Sequence, residues 1–462
     1  MNGWSGICLY RAVTWAASPL LALHFHFRRL RGLEHALRWR ERFGSASLPR
    51  PPGPLLWFHA VSLGEGMAAI PVIEQCIKMR PCLRILMTTS TVTAFSVLQD
   101  KLPNGVICQF APVDTPPAVD AFLKHWHPDA AIFMESELWP NLLLAASKKG
   151  MVLALLNARM SFKSFKHWST VPARTLIAAI LSRFSLIAPQ NTIQAVHFQL
   201  LGAPPFIINF SGNLKYVSAL STVNKSMNVN LVMEELAVQL SDREVWMASS
   251  THKGEEEVMS WIHKQLKKTH PRVLTIIVPR HPQRGNEITQ VLRKQGMCVA
   301  RRSQNEKIIP EIDFYIVDTV GELKDLYKIS PIAVVGGSFL PGLAGHNIAE
   351  AAAAGCAVLT GPYIGHFAQM VAEMQRLVPL SVKQVSGKWE LLTVLQDLLD
   401  NVKFLEACRQ AARHASLTAA TGVIHRVWHL LDTFVLTKAF GKAATPCGLP
   451  GEGDGSFHSS VN

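Results

Sequence analysis

From Leu55 onward, short apolar runs alternate with helix-length amphipathic stretches. The runs at 55–61, 84–89, 106–111, 129–135, 151–157, 185–189 and 206–210 are each bounded by turn residues. Runs this short and this apolar read as buried strands, and most are followed by a helix-length segment, so the pattern predicts a mostly parallel sheet covered by helices. Between 217 and 242 the chain turns polar and irregular apart from a predicted helix over 231–240. The alternation resumes with strands at 245–249, 273–278, 314–317, 332–335 and 357–359, which predicts a second α/β unit. Helical patterning continues from about 391 to 440, and 441–462 is rich in Gly, Ser and Pro, the composition of a disordered tail. Two such units joined by a linker leave a cleft between facing strand ends, where a nucleotide and a second substrate can meet.

A length of 462 residues exceeds what one core supports, and 48% apolar content is enough for two. The formal charge of +13 calls for an anionic partner: nucleic acid, an acidic membrane surface or phosphorylated substrates. The eight cysteines, at 8, 76, 82, 108, 298, 356, 408 and 447, form no Cys-x-x-Cys. That spacing argues against a zinc site or a disulfide framework and suits a reducing compartment.

The first 50 residues change the picture. They carry eight Arg, no Lys and two acids, Glu34 and Glu41, so eight minus two leaves +6. Positions 12–27 contain no Asp, Glu, Lys or Arg but include Pro19, His24 and His26. A spanning helix needs about 20 apolar residues, so an anchor lying in the membrane surface is expected, with a true span and a peripheral helix as alternatives. The Arg-rich start also fits an organellar targeting segment.

Candidate chemistry gathers at predicted strand ends, where an open α/β sheet binds its ligands. The run 55–61 stops at Ser62, and Glu65 follows between Gly64 and Gly66, placing a carboxylate at the crevice. The plainer reading is that Glu65 complements a helix N-terminus. Residues 134–141 set Glu135 and Glu137 directly after a strand. These two suit an acceptor hydroxyl or neighbouring cations better than a metal, since the chain has no Asp-x-Asp. Residues 249–257 leave backbone N–H groups for a phosphate, or form an ordinary capped helix start. Arg280 and His281 stand at the end of another strand, ready for a phosphate oxygen or simply solvated. In 335–350, Asn347 and Glu350 have capping-box spacing, while the glycines ahead of them fit close approach of a nucleotide. Residues 157–168 interleave bases and aromatics, a surface for acidic lipid, for nucleic acid or for solvent.

Taken together these motifs resemble the 3-deoxy-D-manno-octulosonic acid (Kdo) transferases of lipid A synthesis. The resemblance runs through Leu9-Tyr10, Arg38-Trp39-Arg40-Glu41-Arg42-Phe43-Gly44, the stretch His59 to Glu65, Met134 to Asn141, Asn157 to Ser161, Gly212-Asn213-Leu214-Lys215, Ser250 to Glu256, Pro279-Arg280-His281-Pro282, Gly321-Glu322, Gly336-Gly337-Ser338, Gly345-His346-Asn347 and Gly361-Pro362. It implies a GT-B glycosyltransferase that takes Kdo from CMP-Kdo to a phosphorylated lipid A precursor, lipid IVA, releasing CMP, with no metal or other cofactor and no nucleic acid. It implies Glu65 as general base and Glu135 and Lys215 as transition-state-stabilising residues. The CMP contacts it implies are Pro279, Arg280, Val320, Gly321, Glu322, Asn347, Ile348, Ala349 and Glu350. The organisation expected is an anchor or targeting segment at 1–48, an acceptor-binding Rossmann-like domain at 49–216, a linker at 217–243 and a CMP-sugar domain at 244–410. A C-terminal helix at 411–440 returns to the first domain, and 441–462 is the tail.

Two stretches depart from the family pattern. Asn347-Ile348-Ala349-Glu350 stands where Asn-Pro-Leu-Glu is usual, and Gly361-Pro362 continues to His366 and Phe367 rather than Asn-Phe, leaving a role for His366 open. The Lys-free start and the tail resemble plant-type, mitochondrial members; the alternative is the cytoplasmic face of a bacterial-type inner membrane. Two further readings stay in play. One is a GT-B transferase for another sugar nucleotide, the other a non-enzymatic acidic-lipid-binding protein relying on Arg159, Lys163 and Lys166.

Overall fold

Buried strand ends dictate the architecture. The computed structural model describes residues 3–225, 231–365 and 367–441. Six strands form the first sheet: β1 (Leu55–His59), β2 (Arg84–Thr89), β3 (Ile107–Phe110), β4 (Ala130–Met134), β5 (Val152–Ala158) and β6 (Leu186–Pro189). All pairs are parallel, in the order β3-β2-β1-β4-β5-β6. Every residue of β1 and β4 is buried, so neither face meets water and helices must cover both. The second sheet has β7 (Glu244–Thr251), β8 (Val273–Pro279), β9 (Val299–Arg301), β10 (Phe314–Ile316), β11 (Ile332–Val335), β12 (Ala357–Thr360) and β13 (Val382–Gln384), in the order β13-β12-β11-β7-β8-β10-β9. In each sheet the order reverses beside the first strand, between β1 and β4 and between β7 and β11. Those two reversals open the crevices into which loops deliver side chains.

Several expected elements differ. The run 206–210 is no strand: Pro204 and Pro205 lack the N–H a ladder needs, a short turn Pro205–Ile207 forms, and one bridge from Ile187 to Ile208 remains. The edge strands β9 and β13, three residues each, carry too little apolar pattern to be foreseen. Position 217 falls inside a helix, Leu214–Lys225, which packs on both Leu63–Met79 of the first unit and Ala349–Ala354 of the second. Position 411 likewise falls inside Val402–Ala420, which stays on the second unit. Val423–Leu431 crosses back onto Leu63–Met79, Asp432–Leu436 packs on β5, and Arg80 holds Asp432 there at 2.7 Å. The expected tail lies, from residue 442 on, outside the described residues, as does His366.

At the other end, two helices, Gly3–Ala16 and Ser18–Leu30, meet at a 48° bend, and no single described helix is long and apolar enough to cross a membrane. The first is tied to the first unit: Tyr10 Oη donates to Asp114 at 2.9 Å, and Asn141 Nδ2 donates to Thr14 Oγ1 at 2.9 Å. The segment after them belongs to the fold rather than to an anchor. Buried Glu41 pairs with Arg38 at 2.7 Å and accepts the Phe110 N–H at 2.8 Å, while Arg42 pairs with Glu34. These contacts cover the open edge of β3.

Candidate active site

Glu65 sits where β1 gives way to the helix Leu63–Met79. Ser62 caps that helix, accepting the Glu65 N–H at 3.4 Å, and the Glu65 carboxylate reaches back to the Val61 N–H and Ser62 Oγ, both at 2.8 Å. The capping role and the crevice position therefore coexist, because the carboxylate is held at its own helix start and that start lies at the end of β1, beside the reversal with β4. Burial, and then the charges of Glu137 and Glu135, push the Glu65 carboxyl up to about 7. Gly64 faces open space, but a Cβ on Gly66 would collide with Leu98, so Gly66 serves packing rather than substrate approach.

Across the reversal, Glu135 leaves β4 with φ of +55°, a conformation non-glycine residues seldom adopt. Its carboxylate lies 2.5 Å from Lys215 Nζ and 3.9 Å from Arg159 Nη1. Burial raises Glu137, whose carboxylate accepts the Trp139 indole N–H at 2.6 Å. Lys215 is placed by β5: Asn157, in a bulge at φ +53°, accepts the Leu214 N–H with Oδ1 at 3.0 Å and so starts the helix that carries Lys215. Phe367 of the second unit covers both cations, its ring centroid 5.7 Å from Lys215 Nζ and 5.8 Å from Arg159 Cζ. His59, one strand end away, is not available as a base. It is fully buried against Thr88 Oγ1 at 2.9 Å, and burial pushes it down to about 3.

The second sheet answers with loops from β7, β8, β10 and β11. Pro279 is buried and ends β8; Arg280 is exposed and anchored through its N–H to Thr251 O at 3.0 Å, and its guanidinium has no ion pair among the described residues. Val320 is exposed and Gly321 has φ of +95° with open space around it. Glu322 is already engaged by Arg302 at 2.6 Å and by Thr319 Oγ1, contacts that hold its carboxyl below the ordinary range despite burial. The capping box expected between Asn347 and Glu350 does not form. Asn347 Oδ1 accepts the Ala349 N–H at 3.1 Å, Ile348 occupies the cap position, and Glu350 turns to Lys324 at 3.9 Å. Through the packing of Leu323–Ile329 on Ala349–Ala354, segments 320–322 and 347–350 become neighbours.

Two phosphate readings are altered by Glu255, which is fully buried. Its carboxylate accepts N–H groups from His252, Gly337, Ser338 and Phe339 at 2.7 to 2.9 Å. Backbone donors that the sequence offered to a ligand are thus consumed internally, and Gly336 and Gly337 make room for Glu255 and His346. Sequence reasoning also missed Asn157 as an organiser of Lys215 and Arg302 as the partner of Glu322. Each acts across elements far apart in the chain, and no local pattern signals such pairings.

The family model for 3-deoxy-D-manno-octulosonic-acid transferase (kdotransferase) matches residues 37–218. The chain is 55% identical over 431 residues to the probable mitochondrial 3-deoxy-D-manno-octulosonic acid transferase of Arabidopsis thaliana, covering 92% of this chain and 95% of that one. It is 31% identical over 432 residues to the 3-deoxy-D-manno-octulosonic acid transferase of Haemophilus influenzae, covering 92% and 98%. Among solved structures, UDP-GlcNAc 2-epimerase from Neisseria meningitidis superposes with a TM-score of 0.56 at 12% identity, covering 82% of this chain and all of that one, a likeness of fold alone. Two facing parallel-sheet units, an acid at the first crevice and identity sustained across both units identify this chain as a glycosyltransferase belonging to the Kdo transferase family.

Proposed function

We propose that this protein transfers Kdo with inversion from CMP-Kdo to a hydroxyl of a phosphorylated lipid A precursor, lipid IVA, releasing CMP. The observation that carries the reading is Glu65: a carboxyl at the crevice, poised at about 7, beside the Glu135–Lys215 pair. A general base works best with its proton affinity near the working pH. In the step, the acceptor hydroxyl gives its proton to Glu65 as its oxygen bonds to the anomeric carbon. The bond from that carbon to the phosphate oxygen breaks, and its electron pair leaves with CMP. Lys215 and Arg159, drawn together by Glu135, supply positive charge beside the reacting sugar, an arrangement fixed before the reaction begins. Arg280, Gly321 and Asn347 to Glu350 would receive the nucleotide, with the unengaged Arg280 guanidinium facing phosphate. We assign no metal: Arg280, Lys215 and Arg159 supply the charge that a divalent ion would otherwise bring.

The acceptor is amphiphilic, and the surface around the first unit suits a membrane. Leu9, Val13, Leu20, Leu23, Phe27 and Leu30 are exposed on the bent helix pair, near Arg28, Arg29 and Arg31. Phe162 and Val171 are exposed beside Lys163 and Lys166. Apolar side chains with flanking bases match an anionic interface. The mitochondrial name of the Arabidopsis relative, with the Arg-rich start, supports that compartment.

Mass spectrometry of lipid IVA incubated with the purified chain and CMP-Kdo tests the reading. A product heavier by Kdo is expected, unchanged by a chelator and absent with UDP-sugars. No product from wild type, or full turnover by Glu65→Ala, overturns it.

A further inference from the structure

One side-chain contact joins the turn after β7 to the loop after β11, and no step above uses it. His252 Nε2 and His346 Nε2 lie 2.9 Å apart, with ring planes within 6° of parallel and centroids 5.1 Å apart. Rings meeting edge to edge in this way share one proton: one nitrogen donates its N–H and the other accepts, so the two imidazoles hold opposite tautomers. Burial pushes the proton affinity of His252 down, the carboxylates of Glu255 and Glu256 oppose that, and His281 and Arg280 add to it.

The main chain is built to allow the contact. A Cβ on Gly337 would stand 2.5 Å from His346 Cδ2, so only glycine admits the ring, and Gly337 has φ of +67°. Gly345, at φ +80°, lies against Ile364, and its N–H donates to Gly337 O at 2.8 Å. Glu255 fixes the near end of the loop at residues 337–339. The far end, where His346 runs directly into Asn347, is fixed to the β7 turn by the histidine pair.

We propose that His252 is a positioning residue: its hydrogen bond to His346 latches the far end of the loop and so holds Asn347 to Glu350 in register for the nucleotide. The inference rests on the reading of that segment as a nucleotide contact. His252 need not touch the donor, because it acts through His346.

The test uses the full chain with CMP as probe and CMP-Kdo as donor. His252→Phe keeps the ring and loses the hydrogen bond; His252→Gln restores an amide donor and acceptor. Losing one such bond is worth about five- to tenfold in affinity. We expect His252→Phe to weaken CMP binding and raise the donor KM by about that factor, with kcat at saturating donor within about twofold, the acceptor KM unchanged and His252→Gln recovering most of the loss. A double-mutant cycle with His346→Gln, read on CMP affinity, should show the two positions coupled. If His252→Phe binds CMP as wild type does, if kcat falls with the thermal midpoint while KM stays put, or if the cycle is additive, the latch is overturned alone. If wild type does not bind CMP, the nucleotide reading falls and the latch with it. If His252→Phe does not fold, the His346→Gln and His252→Gln variants decide by the same readouts.

Discussion

Glu65 concentrates two demands that pull in opposite directions. Its carboxyl is ordinary in the unfolded chain, near 4.3, and is pushed up to about 7 by burial and by Glu137 and Glu135 in the folded one. A group whose proton is held more tightly in the native state loses stability as pH climbs from the unfolded value through the folded one. Glu65→Gln is therefore expected to raise stability by roughly 3 to 4 kcal/mol above pH 7 and to change it little below pH 4, measured by denaturant melts across pH. The same substitution should cut transfer by about 10² to 10⁴, the usual worth of a positioned base. Wild-type kcat/KM should rise with pH through about 7, and Glu137→Gln should move that limb to lower pH by removing a like charge. A limb that stays in place in Glu137→Gln would show that Glu137 does not contribute and that burial and Glu135 set it. Glu135 and Lys215 form a nearly buried pair, so Lys215→Met leaves the carboxylate with only the longer contact to Arg159 and should destabilise by about 3 kcal/mol. Adding Glu135→Gln should return most of that stability and none of the activity; a double variant that regains turnover would refute the role of the pair.

Among elements, the bulge in β5 and the helix Leu214–Lys225 act as one device. Asn157 adopts a backbone conformation that costs an ordinary residue about 1 to 2 kcal/mol and caps the helix for about 1 kcal/mol more. Asn157→Ala is expected to lose about 2 kcal/mol in chemical unfolding and to lower kcat more than donor KM, since Lys215 shifts. Asn157→Gly, which accepts the backbone angle but not the cap, should be less destabilised yet equally slow. Equal rates for Gly and wild type would separate the cap from catalysis. Gly212 at the same helix start packs on Val423, and the Ser211 carbonyl accepts Arg426 Nε at 3.2 Å, so the returning C-terminal helix braces the element that carries the lysine. The sequence motif around Gly212 announces a turn; its partner more than two hundred residues later is invisible to any local pattern.

For the whole molecule, the first unit presents an amphipathic flank while both units close on a shared cleft. Leu23→Glu combined with Phe27→Glu should abolish co-sedimentation with vesicles containing anionic lipid and leave the thermal midpoint unchanged, because both side chains are already exposed. Retained co-sedimentation would place the lipid-facing surface elsewhere. Periodicity and composition alone determined two parallel-sheet units, their approximate strands and the basic start, because burial on both faces forces continuous apolar runs that any reading of the chain detects. Glu65, Glu135, Arg280 and Asn347 were legible as candidates because strand ends are where chains must turn and polar residues stand out there. Tertiary structure alone decided which of them meet. It brought Lys215 to Glu135, gave Glu322 to Arg302, turned Glu255 and its glycines inward, and folded residues 34–43 onto β3 rather than leaving them with the N-terminal helices. The physical reason is range: hydrophobic periodicity is a property of neighbours along the chain. The pairing of charges, the shift of a carboxyl to about 7 and the sharing of a proton between two histidines depend on distances of a few ångströms between segments that sequence order does not relate.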